Sequence, residues 1–172
     1  MASSSSSSTT VISKDVDRAS ADNTIAFFDD WRVSSRALDN TSTKDFYSNI
    51  IGAHLRIHKI QRGRVTCFFS VKPGILNIYG GTHGGVVAAV AEKMAIACAR
   101  TVVAEDKEIF LGELNMSYLS AATENSELIV DASIVRSGKN VTAVVVDFKF
   151  KESEKLVYTC RATFYNTPVA KL

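Results

Sequence analysis

The stretch from Asn77 to Arg100, N-I-Y-G-G-T-H-G-G-V-V-A-A-V-A-E-K-M-A-I-A-C-A-R, decides the fold of this chain. A glycine-rich turn holding one histidine runs directly into a long apolar segment with a single carboxylate, Glu92, near its middle. A helix that is apolar on nearly every face must be covered by protein or membrane. Burying an ionised carboxylate there costs free energy unless the group is paired or used. The stretch therefore predicts a buried helix, from about His83 to about Ala104, whose N-terminus and one acid serve a site.

Strand patterns flank this helix on both sides. Two alternating segments precede it, at 54–60 and 64–72, and four follow it, at 109–119, 126–136, 141–151 and 156–166. Strands joined by short turns favour an antiparallel sheet. One apolar helix beside one such sheet predicts the α+β class, with a curved sheet wrapped around the helix.

The two ends of the chain differ from this central pattern. Residues 1–22 begin with a serine-rich run that predicts a disordered tail, and residues 23–167 form one predicted domain that opens with an amphipathic helix at 23–38. Residues 168–172 form a C-terminal tail that ends in Ala170-Lys171-Leu172, which resembles the S-K-L peroxisomal address. The tripeptide predicts a peroxisomal protein, while cytoplasm, mitochondrion and plastid stay open as alternatives.

The composition excludes several classes of protein. The 172 residues carry a net charge of +2 with acids and bases interspersed, which argues against a nucleic-acid partner. The apolar run is broken by Glu92-Lys93, so no membrane-spanning segment is predicted. The three cysteines are scattered without C-x-x-C spacing, and His54 and His58 have no third ligand at a suitable spacing, so no metal site is predicted.

The central stretch also carries a family pattern. An N-x-x-G-x-x-H-G-G motif is followed, eight residues after the first glycine of the pair, by an acid on an apolar helix; its members are Asn77, Gly80, His83, Gly84, Gly85 and Glu92. This combination resembles the hotdog-fold thioesterases, in particular their PaaI-like, acyl-CoA thioesterase 13-like branch, over about residues 50–166. The resemblance implies a hotdog fold and hydrolysis of a fatty or aromatic acyl-CoA to free acid and CoA, without a metal or other cofactor. It also implies a homodimer or homotetramer with active sites shared between subunits.

The glycine pair suits an oxyanion site. The first N–H groups of a helix are free of intrahelical partners and lie at its positive end, and Gly84 and Gly85 let a substrate approach them closely. We expect the Gly85 N–H to be the main donor. Glu92 lies about two turns further on, eight residues after Gly84 and roughly 12 Å from it along the axis. It is too far to share a carbonyl with its own Gly85, so it must meet the glycine pair of a neighbouring subunit.

The resemblance assigns further roles, each with a structural alternative. Glu92 is the general base or the nucleophile, and otherwise a solvated acid paired with Lys93 or Arg100. Asn77 holds the water or the carboxylate, and otherwise only forms the turn. His83 fixes the glycine turn or bonds to the thioester, and otherwise only satisfies backbone groups. Arg136 and Lys139, around the S-G-K turn, contact the phosphates of CoA, and otherwise the segment only forms a tight turn.

One position departs from the branch pattern. Members often place a serine on the strand after the helix to support the water, and alignment on Asn115 puts Leu111 there. A non-catalytic acyl-CoA-binding hotdog protein therefore stays open. A hotdog enoyl hydratase or dehydratase, a second enzyme class on the same fold, also stays open, although the H-G-G-V run argues against it. The sequence does not choose the acyl chain.

Overall fold

The computed structural model describes residue 18 and residues 46–104 and 106–168. Its elements in chain order are α1 (Phe46–Ala53), β1 (Leu55–Gln61), β2 (Arg64–Ser70), a 3-10 turn (Pro73–Ile75), α2 (Gly84–Arg100), β3 (Lys107–Tyr118), β4 (Glu127–Ser137), β5 (Val141–Phe150) and β6 (Leu156–Pro168). These elements lie in one compact unit, Asp45–Leu172. The predicted serine-rich tail, the predicted helix at 23–38 and the C-terminal tripeptide fall outside the described residues.

The six strands form one antiparallel sheet in the order β1-β2-β4-β5-β6-β3. Helix α2 packs against this sheet, and its most extensive contacts are with β4 and β5 at the centre. The predicted α+β class with an antiparallel sheet and one long central helix is therefore confirmed. Within the described residues, β1 and β3 are the two edge strands.

The core lies between α2 and one face of the sheet. Every second residue of β2 and β5, and of β4 as far as Ala132, is buried, because alternate side chains of a strand point to the same face. Helix α2 contributes a buried face with helical spacing, made of Val87, Val90, Ala91, Met94, Ala95, Cys98 and Ala99. The buried residues of the strands and of α2 form one apolar cluster, in which Phe69, Phe148 and Phe164 are completely buried.

Helix α2 ends at Arg100, four residues before the predicted end. Thr101 is the reason, since its hydroxyl donates to Cys98 O at 2.7 Å and accepts from Gly63 N–H at 2.8 Å. These two bonds tie the end of α2 to the β1–β2 turn, a long-range contact that the helical pattern of the sequence does not contain. Helix α1 was not predicted from the sequence.

The cysteines and the helices also bear on the predictions made from composition. Cys67, Cys98 and Cys160 are buried free thiols. Burial raises the pKa of Cys98 and of Cys160 to about 11, so both thiols are protonated at neutral pH. No helix in the described ranges is long and apolar enough to cross a membrane.

Candidate active site

Asn77 organises the glycine-rich turn that precedes α2. Its side-chain Oδ1 accepts from the N–H groups of Tyr79 at 2.9 Å and Gly81 at 3.1 Å, and its own N–H donates to Gly81 O at 2.8 Å. Gly80 has a φ of 76°, a conformation that favours glycine. The geometry therefore supports the turn-forming role of Asn77. Its carboxamide oxygen is already occupied, so a role in holding water, which stays a prediction, falls to its NH₂ group.

His83 caps the N-terminus of α2. Its Nδ1 accepts from the Gly85 N–H at 3.1 Å, which requires the tautomer that carries its proton on Nε2. The Gly85 N–H, the expected oxyanion donor, is therefore engaged with His83 in this structure, and a substrate oxygen would have to displace the ring. The Gly84 N–H donates to no acceptor within the described residues.

Two tyrosines flank the glycine pair and were not predicted as site residues. The Tyr118 hydroxyl donates to Gly84 O at 3.0 Å, and the Tyr47 hydroxyl donates to Gly85 O at 3.4 Å. Burial, more than its neighbours, raises the pKa of the Tyr118 phenol, so the hydroxyl stays a donor at neutral pH. Tyr118 is the last residue of β3, and only the packing of β3 beside the start of α2 brings it to the glycines.

Glu92 lies on the same side of α2 as Gly85. The two are seven residues apart, or about two turns and roughly 10.5 Å along the axis, and share a stripe with Ala89 and Ile96. Ala89, Glu92 and Ile96 are half-buried, between the buried face and solvent. Within the described residues the Glu92 carboxylate forms no hydrogen bond or ion pair. The alternative pairing with Arg100 is not seen, because that guanidinium donates to Lys107 O at 2.7 Å.

Arg136 and Lys139 lie together at the β4–β5 turn. They line one cavity of about 490 Å³, with Gly138, Asn140, Val141 and Ala143 as the other lining residues. The two candidate phosphate-binding residues are thus brought to one concave surface that carries two positive charges. Such a surface is suited to an anionic group.

The glycine pair and this cavity lie at opposite ends of β3. Tyr118, at one end of the strand, contacts Gly84, whereas the Lys107 ammonium, at the other end, donates to the Lys139 carbonyl. Eleven residue steps at 3.3 Å correspond to a path of about 36 Å along the strand. The predicted residues therefore fall into two groups, one with the glycine pair and one with the cationic cavity, that a single subunit does not bring together.

Comparisons with known proteins agree with this architecture. Residues 79–157 match the model of the thioesterase superfamily. Human acyl-coenzyme A thioesterase 13 is 27% identical over 104 residues, which cover 59% of this chain and 71% of that protein.

Two solved structures have the same fold. Zebra fish thioesterase superfamily member 2 is 19% identical with a TM-score of 0.66, covering 74% of this chain and 90% of that chain. The Streptococcus mutans protein smu.793 bound to acetyl CoA is 19% identical with a TM-score of 0.62, covering 68% and 91%. The resemblance to the hotdog-fold thioesterases that the sequence predicts is therefore confirmed: the chain has their fold, and its residues 79–157 match the thioesterase superfamily.

Proposed function

We propose that the protein is an acyl-CoA thioesterase that hydrolyses a fatty or aromatic acyl-CoA to the free acid and CoA. The observation that carries this proposal is Glu92, a half-buried carboxylate with no partner within the described residues, on the apolar helix of a thioesterase-superfamily fold and on the same side of that helix as Gly85. An acid in this position has lost part of its hydration without gaining a partner. It is therefore available to activate a water molecule or to attack the thioester carbonyl. Its own Gly85 lies roughly 10.5 Å away along the helix axis, so the carbonyl it serves is the one held at the glycine pair of a neighbouring subunit.

The helix start supplies the second requirement of thioester hydrolysis, the stabilisation of a developing oxyanion. The Gly84 N–H has no acceptor within the described residues, and the Gly85 N–H is held only by the side chain of His83. A carbonyl oxygen that entered here would meet the positive end of α2. Movement of the His83 ring would then release the Gly85 N–H as the second donor.

The division of the site along β3 supports a dimer with shared active sites. Within the described sheet β3 is an edge strand of 12 residues, with Phe110 and Tyr118 more than half exposed. A long exposed edge strand is a template for pairing with a second chain. Antiparallel pairing of two β3 strands about a twofold axis would bring the Lys107 end of one subunit beside the glycine pair of its partner. One CoA could then bind the cationic cavity of one subunit and present its thioester to the other.

A non-catalytic acyl-CoA-binding protein is the second candidate. It is favoured by Leu111, an apolar residue that packs against the core where the related branch often has serine, and by the engagement of the Gly85 N–H with His83. The two candidates differ in one measurable property, the release of a free thiol from a bound thioester.

The test is a thiol-release assay over a panel of short, long and aromatic acyl-CoAs. We expect turnover on at least one of them, and a loss of about 100-fold or more in kcat for Glu92→Gln and Glu92→Ala. Lys93→Gln, next to Glu92 on the exposed side, is the matched control and should retain turnover. Light scattering should give a mass of at least two chains for every variant. Binding of acyl-CoA without thiol release would establish the non-catalytic candidate, and undiminished turnover of Glu92→Gln would remove Glu92 from the mechanism.

We also propose a peroxisomal location, on the strength of Ala170-Lys171-Leu172. A fluorescent protein fused to the N-terminus should co-localise with a peroxisomal marker, and deletion of Leu172 should make the signal diffuse. Co-localisation that persists after the deletion would show that the tripeptide does not determine the location.

A further inference from the structure

The β4–β5 turn is stabilised by hydrogen bonds from residues that are far away in the sequence. Three successive carbonyls of the turn each accept a hydrogen bond. Gly138 O accepts from Asn166 Nδ2 at 3.0 Å, and Asn140 O accepts from Asn166 N–H at 2.8 Å. The carbonyl between them, Lys139 O, accepts from the Lys107 ammonium. A single residue of β6 thus fixes both flanks of Lys139, and a residue of β3 fixes its centre.

Asn166 is itself locked in place by buried hydrogen bonds. It is 6% exposed, and its Nδ2 donates at 3.0 Å to the hydroxyl of Thr142, which is completely buried. The Thr142 hydroxyl lies 3.1 Å from Ser137 Oγ and 3.3 Å from Asn166 Oδ1. Both hydrogens of the Asn166 amide are therefore used, one on Thr142 and one on Gly138 O. A buried, fully bonded side chain of this kind has one orientation, so it fixes the turn to which it is bonded.

The bonded carbonyls determine the direction of the turn's amides. A trans peptide group directs its C=O and N–H in opposite directions, and the described chain has no cis peptide bond. The N–H groups of Lys139 and Asn140 therefore point away from the donors that hold the preceding carbonyls. Neither N–H has an acceptor within the described residues. Successive free N–H groups beside cationic side chains favour an anion.

We propose that Asn166 is a positioning residue for CoA binding, which sets the β4–β5 turn so that Lys139 and Arg136 engage the phosphates of the nucleotide. The role rests on the proposed function, since it assumes that the cavity at this turn receives the nucleotide part of the substrate. Asn166 does not line the cavity and acts only through the turn. Lys107 supports the same turn from β3.

The test compares two thioesters of the same acyl group, one on CoA and one on pantetheine, which lacks the nucleotide. Asn166→Leu removes the donors to Gly138 O and Thr142 while preserving the size of the side chain and the backbone N–H. We expect KM for the acyl-CoA to rise about 5- to 10-fold, as for one or two lost hydrogen bonds, with kcat nearly unchanged. The kcat/KM for the acyl-pantetheine should stay at the wild-type value. An equal loss on both substrates, or no loss on either, would overturn the positioning role.

A second variant keeps the proposal testable if Asn166→Leu does not fold. Lys107→Met removes the donor to Lys139 O from the surface, and Lys149→Met, on β5, removes one positive charge elsewhere as the matched control. We expect only Lys107→Met to raise KM for the acyl-CoA selectively; equal behaviour of the two variants would contradict the role of the turn.

Direct binding separates this inference from the proposed function. CoA and pantetheine are titrated calorimetrically into the wild-type protein and Asn166→Leu. If no thioester is hydrolysed but Asn166→Leu weakens CoA binding about 5- to 10-fold, the hydrolase assignment fails and the positioning role stands. If the wild-type protein binds CoA no better than pantetheine, the positioning role fails whatever the turnover.

Discussion

The two turns that form the candidate site are held together in different ways. In the turn before α2, the Asn77 side chain binds the N–H groups two and four residues ahead, and His83 binds the N–H two residues ahead. In the β4–β5 turn, the stabilising groups come from Asn166, which is 28 and 26 residues away from the two carbonyls it holds, and from Lys107, which is 32 residues away from its carbonyl. The first turn is organised by side chains within it, although Thr82 N–H also donates to Ala122 O at 2.8 Å, whereas the second turn depends on residues of the assembled sheet.

This difference predicts how each turn responds to mutation. A locally bonded turn loses its shape when its own side chain is removed, because no distant group replaces the missing acceptor. A turn that is stabilised by distant residues should keep its stability when its own side chains are changed. It should lose affinity for its ligand when one of its charged side chains is removed. The following experiments test this contrast, beginning with the largest expected effect.

Replacement of the two asparagines compares the turns directly. Asn77→Ala leaves the N–H groups of Tyr79 and Gly81 without their acceptor, so we expect the free energy of unfolding to fall by about 1–2 kcal/mol and kcat/KM to fall by about 10-fold or more. Asn140→Ala is the matched change in the other turn, where only the backbone carbonyl of Asn140 is used among the described hydrogen bonds. Its unfolding free energy should change by less than about 0.5 kcal/mol. Urea denaturation measures the free energy of unfolding of both variants. Equal destabilisation would contradict the proposed difference between the two turns.

Removal of the lysine from the second turn should change binding and not stability. Lys139→Ala removes one of the two positive charges at the cavity, and we expect KM for an acyl-CoA to rise about 5- to 10-fold with a weaker dependence on salt. Lys155→Ala, on the exposed β5–β6 turn, is the control for net charge. KM measured at several sodium chloride concentrations distinguishes the two. If Lys155→Ala has the same effect as Lys139→Ala, the cavity is not the anion site.

The cap of α2 offers the smallest and most specific test. His83→Ala removes the acceptor of the Gly85 N–H and should lower the free energy of unfolding by about 1 kcal/mol. His83→Asn preserves a capping acceptor, so it should recover most of this loss. The turnover of His83→Asn then tests whether His83 has a role in catalysis. If this variant is as stable as the wild type but has a different kcat, His83 has a role beyond capping the helix. If His83→Asn is as unstable as His83→Ala, the Nδ1 bond to Gly85 does not stabilise the helix start.

The predictable part of the site follows from local rules. Asn77, Gly80, His83 and the glycine pair lie in one continuous segment. The bonds from Asn77 to Tyr79 and Gly81, and from His83 to Gly85, connect residues at most four positions apart. The strands were predictable because alternate burial in β2, β4 and β5 leaves a period of two in the sequence. Tyr47, Tyr118 and Asn166 could not be found in this way, because their partners are 24 to 38 residues distant and no spacing encodes those contacts.

By itself the sequence determined the antiparallel sheet, the long central helix and the turn that begins it, because hydrogen bonding within a turn and the burial of one face are short-range properties. The tertiary structure alone decided that the Tyr118 hydroxyl bonds to Gly84 O, that Glu92 has no partner within the described residues, and that the cationic turn lies at the far end of β3 from the glycine pair. These facts depend on which distant groups come within about 3 Å of one another. That proximity exists only once the sheet has assembled against α2.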